Sequence, residues 1–213
     1  IENFNRVFLE TQSEYFTWIP ADDSHDREFL ESCIEILDSE PDVVLCACET
    51  LMKDELTGKP LWKSNLDSFR GNLSLRKRYR QSLENFPAVA MYGMFRSSAL
   101  HKSKLFPRVI GGDMLLMQEL SLYGDFRCVP RILFTRNGRK EWNSLDQDYK
   151  VFYGNDYPLR RISPFLLVSI YQYRILWRSE LILIRKIEMS LVLTKFQFKQ
   201  VLKKLLLKII HIL

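Results

Sequence analysis

The stretch that decides the fold is Tyr15-Phe-Thr-Trp-Ile-Pro-Ala-Asp-Asp-Ser24. Its first half is apolar and aromatic, which is typical of a β-strand, and Pro20 ends that strand. Two adjacent carboxylates, Asp22 and Asp23, follow in the loop. In open α/β sheets the ligand crevice lies at the carboxyl ends of the strands, which is where this pair is predicted to fall.

A helix and a second strand follow this loop. The helix is predicted from Arg27, because apolar residues recur there at helical spacing. That apolar stripe consists of Phe29, Leu30, Cys33, Ile34 and Leu37. The next run, Val43-Val-Leu-Cys-Ala47, is continuously apolar, which favours a strand buried on both faces, as in a parallel sheet. Strand, acidic loop, helix and buried strand form a βαβ unit, so the sequence predicts an α/β fold.

The remainder of the body predicts further elements. These are a helix end at Asn3–Glu10, a turn at Asp54–Lys59, a surface loop and helix over 65–85, and a strand at Ala88–Tyr92. Gly111-Gly112-Asp113 opens a helix to Tyr123, and Gly124 closes it. The last strand covers Phe126–Phe134, and Pro130 predicts that it is bent or lies at an edge.

Composition and charge divide the chain into two regions. Of its 213 residues 46% are hydrophobic, enough for a core, and its 4 cysteines are too few for a disulfide scaffold. A reducing, cytoplasmic location is therefore expected. Residues 158–213 carry eleven basic and two acidic side chains, or +9, whereas residues 1–157 carry −4. A nucleic-acid-binding body would carry the basic residues itself, so nucleic acid is not an expected partner.

The paired carboxylates Asp22 and Asp23 are the first candidate site. Adjacent negative charges repel, and they are compensated most naturally by a cation or by hydrogen-bond donors. Carboxylate oxygens are hard ligands for Mg²⁺ or Mn²⁺, which commonly keep substrate phosphates as their other ligands. The alternative is an exposed loop in which Asp23 or Asp26 caps the following helix.

Asp113 is the second candidate. It follows two glycines at the start of a predicted helix. Two roles fit this position: Asp113 caps the N-terminus of the helix, or it acts as a general base beside a cleft. The pair Cys46 and Cys48 has no partner pair at zinc-ligand spacing, so buried apolar thiols are the favoured interpretation.

Four motifs occur in order along residues 1–142. They are Tyr15–Ser24 with Pro41-Asp-Val-Val-Leu45, Tyr92-Gly-Met-Phe-Arg96, Gly112-Asp-Met-Leu-Leu-Met-Gln-Glu-Leu120, and Leu122–Pro130 with Ile132-Leu-Phe-Thr-Arg136. Together they resemble family 2 glycosyltransferases of the GT-A fold, in their bacterial, non-processive form. The resemblance implies a partial GT-A-type mixed sheet flanked by helices over residues 1–142, then a linker at 143–157 and a mainly helical tail at 158–213.

The resemblance also implies a reaction. A single sugar would pass, with inversion, from a nucleotide-diphosphate sugar to a glycan or lipid-linked acceptor. Asp22 and Asp23 would hold Mg²⁺ or Mn²⁺ against the diphosphate with Arg136 nearby, and Asp113 would be the general base. Tyr92, Gly93 and Arg96 would line the acceptor side.

Three features depart from the family pattern. Pro20 replaces the first Asp of the D-x-D-D version, and Arg136-Asn-Gly-Arg139 lacks the His found in many relatives. The Q-x-x-R-W motif of processive synthases is absent, so polymer synthesis is not expected. Relatives begin with a strand–helix–strand segment that binds the nucleotide, and we expect such a segment to precede Ile1.

The tail predicts a basic amphipathic helix. Lys195, Lys199 and Lys203 recur every four residues, opposite an apolar side. That apolar side consists of Leu191, Phe198, Val201, Leu202, Leu205, Ile209 and Ile212. Residues 190–213 would either touch the inner face of the cell membrane or pack over the body or a partner. Residues 161–213 contain no run of 18 uncharged apolar residues, so the sequence predicts no membrane-spanning helix in the tail.

Two rival functions stay open at this point. One is a non-catalytic module that binds membranes or partners through its basic tail. The other is a nucleotidyltransferase, which also uses paired carboxylates and a metal on an α/β sheet. The second rival normally carries a Gly-rich phosphate loop near its start, and residues 1–213 contain none.

Overall fold

A computed structural model describes residues 2–66, 69, 71–84, 87–138 and 164–210. The helices are α1 (Glu2–Leu9), α2 (Phe29–Ser39), α3 (Leu75–Glu84), α4 (Ser97–Lys102), α5 (Gly112–Tyr123), α6 (Pro164–Arg178) and α7 (Leu183–Ile210). The strands are β1 (Tyr15–Phe16), β2 (Ser24–His25), β3 (Val43–Asp54), β4 (Pro60–Lys63), β5 (Met94–Arg96) and β6 (Asp125–Gly138). The predicted linker, residues 143–157, lies outside the described residues.

One six-stranded mixed sheet forms the centre of the molecule. Its strand order is β1-β5-β3-β6-β2, with β4 paired to the outer part of β3. The two long strands, β3 and β6, are parallel, and their register runs from Val43 opposite Asp125 to Asp54 opposite Gly138. The remaining pairs are antiparallel. The predicted α/β class, with a mixed sheet and a helical C-terminal part, is confirmed.

The predicted βαβ unit is present in a split form. Strands β1 and β3 are parallel to each other, but β5 lies between them and is antiparallel to both. The strand predicted at Ala88–Tyr92 was wrong: these residues form a 3₁₀ turn, and the strand comes two residues later, at Met94–Arg96. Short apolar runs fit either structure, and here Pro87 opens the turn that buries Val89 and Ala90.

At Pro130 the strand β6 is paired with β3 alone, so this part of the strand lies at an edge of the sheet, and it is also bent. Val129 pairs with Cys48 and Ile132 pairs with Glu49, which leaves Pro130 and Arg131 as a bulge against β3. The short β2 pairs further along, at Phe134 and Thr135, so no ladder hydrogen bond is required of the proline nitrogen.

Two apolar layers cover the two faces of the sheet. One layer joins β1, β3 and β5 to α1 and α5, around buried rings that include Phe8, Trp18 and Phe95. The other seals α2 against β3 and β6 through Phe29, Leu37 and Phe134. All four cysteines are buried and form no disulfide, which confirms the interpretation of Cys46 and Cys48 as core thiols.

A third apolar cluster holds the C-terminal helices on the body. Tyr79 and Leu83 of α3 and Leu115 and Leu122 of α5 pack against α6 and α7. The buried side chains of those two helices are Ile175, Leu176, Met189, Val192 and Leu193. The alternative in which the tail packs over the body is therefore confirmed for this part of it.

Two glycines lie so close to strand β3 or the residue before it that a side chain would not fit. Gly124 ends α5, as predicted, but in an extended conformation and not in the left-handed one common at helix ends. A Cβ at this position would lie 2.4 Å from the carbonyl oxygen of Asp42 and 2.4 Å from Val44 Cγ1. Gly93 also lies close against β3, since a Cβ added there would be 2.7 Å from the carbonyl oxygen of Cys46.

We predict that Gly124→Ala destabilises the protein by about 1–3 kcal/mol, because the added methyl group forces β6 away from β3. Urea unfolding measures this change. Gly58→Asn is the matched control: nothing lies within 4 Å of an added Cβ there, and Asn tolerates its positive φ of 67°. Equal stability of Gly124→Ala and the wild type would contradict the contact.

Candidate active site

The candidate site forms where the acidic loop meets the end of β6. The backbone N–H of Asn137 donates to Asp23 Oδ1 at 2.9 Å, and Asn137 Nδ2 donates to the carbonyl oxygen of Asp22 at 2.6 Å. The short pairing of Ser24 with Thr135 fixes this register. As a result, the Asp23 carboxylate lies within electrostatic range of Arg136.

Tyr92 lies at the centre of the charged groups. Its carbonyl oxygen accepts from Thr17 Oγ1 at 3.4 Å and from His25 Nε2 at 3.2 Å, and its ring lies 5.4 Å from that of Phe134. Burial raises the pKa of the Tyr92 phenol, and the field of Arg136 lowers it. The charges of Asp23, Asp113 and Asp22 raise that pKa further. We call these five residues, Asp22, Asp23, Tyr92, Asp113 and Arg136, the Tyr92 site.

Asp113 reaches this site from the first turn of α5. The residue preceding the helix is Gly111, whose φ of 81° requires a glycine-like conformation, and no side chain caps this helix end. Asp113 is the second residue of α5, so the N-cap alternative was wrong. Its half-buried carboxylate lies within electrostatic range of the Tyr92 phenol. In the acidic loop it is Asp26, not Asp23, that binds a helix-start amide, that of Glu28 at 3.0 Å.

Asp23 carries an unfavourable negative charge. Its pKa is raised mainly because burial removes water from the carboxylate, and the neighbouring Asp22 raises it further. The Asn137 amide, Arg136 and His25 oppose this shift without cancelling it. The loop therefore holds two carboxylates in a position where a further positive charge would relieve their repulsion.

His25 is a member of the surroundings that the sequence did not indicate. Its ring stacks on Phe134 with centroids 4.5 Å apart and lies 4.2 Å from Phe29. Burial lowers the pKa of this imidazole. Because a carbonyl oxygen only accepts, Nε2 donates to Tyr92, and the neutral ring keeps its lone pair on Nδ1. His25 thus fixes the backbone that carries the Tyr92 phenol.

Two residues predicted to line the acceptor side lie elsewhere. Gly93 is buried against the backbone of β3. The Arg96 guanidinium donates to the carbonyl oxygens of Val43 at 3.0 Å and Leu37 at 2.5 Å and covers the Tyr15 ring. The structure therefore brings Tyr92 to the charged cluster but uses Arg96 to join α2, β3 and β1.

The donor set fits a divalent cation only with help from a ligand. Among the described residues, no three His, Cys, Asp or Glu side chains are grouped closely enough to hold a metal. Asp22 is exposed and Asp23 half-buried, so two adjacent carboxylates face outward with excess negative charge. Such a pair suits Mg²⁺ or Mn²⁺ when substrate phosphates complete the coordination.

Comparisons with known proteins bear on the family and on the fold. Residues 1–102 match the family model described as glycosyl transferase family 2. The match covers 102 of the 213 residues, slightly less than half of the chain, and marks the similarity of this part to that family. The match spans β1, the acidic loop and Tyr92, whereas Asp113 and Arg136 lie beyond it.

A solved structure has the same fold. It is the crystal structure of TarS from S. aureus, with a TM-score of 0.53 and 13% sequence identity. The alignment covers 92% of this chain and 30% of that chain, so the present chain spans less than a third of the length of TarS. No curated protein sequence matches the chain.

We predict that Asp23→Asn stabilises the fold at about pH 7 and that the gain disappears at about pH 3. Its raised pKa means that the folded state favours the protonated form, so stability falls as rising pH ionises the group. Urea unfolding of both proteins at the two pH values measures the difference.

Asp54→Asn is a control with the opposite sign. Hydrogen bonds from Thr57 lower the pKa of Asp54, so its charge favours the folded state at neutral pH and stability is lost as pH falls. Removing that charge should cost stability at about pH 7. If both substitutions changed the free energy of unfolding in the same direction at about pH 7, the unfavourable charge assigned to Asp23 would be contradicted.

Proposed function

We propose that this family 2-like domain transfers a single sugar from a nucleotide-diphosphate sugar to a hydroxyl group of a glycan or lipid-linked acceptor, with inversion. The observation that carries the proposal is the Tyr92 site, in which the paired carboxylates of the acidic loop, the Asp113 carboxylate of α5 and the Arg136 guanidinium all act electrostatically on one half-buried phenol.

Asp113 is the proposed general base. In the transfer, the acceptor oxygen forms a bond to the anomeric carbon while its proton passes to the Asp113 carboxylate. The bond from the anomeric carbon to the diphosphate breaks on the opposite face, and the leaving group keeps the electron pair. The first turn of α5 holds this carboxylate in place, because Gly111 and the buried Gly112 fix the helix start.

The leaving diphosphate belongs at the other side of the Tyr92 site. Arg136 provides a positive charge beside Asp23, suited to oxygens that gain negative charge as the bond breaks. Tyr92 keeps its proton because its pKa is raised, so its hydroxyl is a hydrogen-bond donor at physiological pH. Asp22 and Asp23 would hold Mg²⁺ or Mn²⁺, which supplies Lewis-acid stabilisation of the diphosphate when bound.

The acceptor and location follow from the same proposal. Four buried cysteines without a disulfide fit a reducing compartment, and we place the reaction in the cytoplasm, where a lipid-linked acceptor would be presented at the inner membrane face. Gly93 and Arg96 have structural contacts, so Tyr92 is the residue of the predicted acceptor set that we retain at the site.

We predict that Asp113→Asn lowers kcat by about 10²–10⁴-fold, because it removes the proton acceptor while keeping the side-chain shape. Release of the nucleoside diphosphate from a panel of nucleotide sugars, with glycan and lipid-linked acceptors, measures the rate. Asp42→Asn removes the same charge from an exposed loop and should stay within about twofold of wild type. Equal, measurable rates in all three proteins would contradict the assignment of Asp113 as the base, and no transfer by the wild type would favour the non-catalytic alternative.

We further predict that transfer requires a divalent cation at the acidic loop. A chelator should abolish activity, and added Mn²⁺ should restore it. Calorimetric titration of Mn²⁺ in the presence of a nucleoside diphosphate gives a second readout that does not depend on turnover. Asp22→Asn should weaken this binding, and Asp54→Asn, at the turn between β3 and β4, should not. Unchanged Mn²⁺ binding in Asp22→Asn would contradict the assigned ligands.

A further inference from the structure

The α6–α7 hairpin has an outward surface that no described residue covers. On α6 its large exposed apolar side chains are Leu166, Ile170 and Trp177. On the connecting turn and α7 they are Ile182, Leu183, Ile184, Ile187, Leu191, Phe198, Leu202 and Leu206. We call these residues the outer face. The α7 part alone, from residue 184 to 206, is about 33 Å long at the rise of an α-helix.

The outer face differs from the apolar side that the sequence predicted. The helix α7 buries Met189, Val192 and Leu193 against the body. Leu191 and Phe198, which the sequence placed on the single apolar side, are 59% and 69% exposed. This helix therefore has two apolar sides. One packs against the body, and the other, which includes Leu191 and Phe198, is exposed.

The two helices turn their exposed stripes in the same direction. Between them, Tyr173 Oη and Thr194 Oγ1 are 2.7 Å apart, and Gln197 Nε2 donates to Gln172 Oε1 at 2.9 Å. Gln172 in turn donates to Gln118 of α5, which marks the side of α6 that faces the body. Around each helix axis, the residues that contact the other helix lie between the side that faces the body and the exposed apolar stripe. The two stripes therefore lie side by side and form one surface that faces away from the body.

An excess of positive charge accompanies this surface. Residues 164–210 contain nine basic and two acidic side chains. Both acids have basic partners: Glu180 pairs with Lys102 at 3.3 Å, and Glu188 pairs with Arg185 at 2.7 Å. Lys195, between Leu191 and Phe198 along the stripe, and Lys199 beside it are exposed.

We propose that the outer face docks on an anionic lipid surface, with the apolar side chains in the acyl boundary and the lysines at the headgroups. Large exposed apolar patches mark interaction sites, and lysine is depleted in the centre of protein–protein interfaces but suits a lipid headgroup layer. The exposed Trp177 fits the same interface. No helix among the described residues is long and apolar enough to cross a bilayer, so the contact is peripheral.

Vesicle sedimentation tests this docking without reference to catalysis. The wild-type protein should bind vesicles of phosphatidylcholine with about 30% phosphatidylglycerol, and at least roughly tenfold more weakly those of phosphatidylcholine alone. High salt should weaken the binding to the anionic vesicles. The double variants Leu191→Glu/Phe198→Glu and Lys195→Glu/Lys199→Glu should each lose roughly tenfold or more of that binding.

Two control variants carry the same chemical changes outside the outer face. Leu56→Glu alters a side chain that is 86% exposed on the β3–β4 turn, and Lys59→Glu/Lys63→Glu reverses two exposed lysines on the same hairpin. Both should bind anionic vesicles as wild type does. Circular dichroism confirms that the altered proteins remain folded, which is expected because all the substituted side chains are exposed or half-buried at the surface.

Two outcomes would overturn the proposal. One is vesicle binding that is equal in all variants or that ignores the anionic lipid. The other is an absence of vesicle binding together with a concentration-dependent dimer that the outer-face variants abolish, since the face would then join two copies of the chain. Neither outcome bears on glycosyl transfer, which is measured separately.

Discussion

The parallel pairing of β3 with β6 is the constraint on which the site depends. It extends the two strands side by side from Val43 and Asp125 to Asp54 and Gly138. At its beginning, Gly124 allows the chain to leave α5 in contact with the Asp42 carbonyl. At its far end, Arg136 and Asn137 emerge beside the acidic loop. A shift of one residue in this register would turn Arg136 to the opposite face and separate it from Asp23.

The site keeps charges that the fold alone would not select. Asp22 and Asp23 repel each other, and burial of Asp23 makes its ionised form still less favourable. The His25 ring, stacked on Phe134 and in contact with Phe29 of α2, and the amide of Asn137 hold the loop in place despite that repulsion. A carboxylate pair that costs stability in the unliganded protein gains most from a bound cation and an anionic ligand, which is what the proposed donor supplies.

Local patterns in the sequence predicted the elements that bury an apolar face and missed those set by distant contacts. The buried strand at Val43 and the helix from Phe29 follow from periodicity, and Asp113 follows from the resemblance of its motif. The 3₁₀ turn at Ala88–Tyr92 could not be told from a strand, because a five-residue apolar run fits both. His25 and the two-residue β2 depend on pairing with residues 134 and 135, far along the chain, which no local pattern shows.

Arg96 illustrates why a motif residue need not be at the site. Its position in the motif after Tyr92 favoured acceptor binding, whereas its donors are occupied by the end of α2 and the start of β3. A guanidinium that satisfies main-chain carbonyls of two elements is as constrained by the fold as one that binds a ligand. Within this motif, Arg96 therefore stabilises the packing of α2 and β3, and Tyr92 lies near the charged groups.

The helix α5 joins the two functional regions of the molecule. Its first turn presents Asp113 to the Tyr92 site, and its Leu115 and Leu122 lie in the cluster that carries α6 and α7. Gln118, midway along α5, binds Gln172 of α6 in a buried contact. A surface that rests on α6 and α7 is therefore fixed in orientation relative to the proposed base by packed helices. If that surface lies on lipid, the site has one defined orientation toward the membrane, which a lipid-linked acceptor requires and a freely diffusing glycan does not.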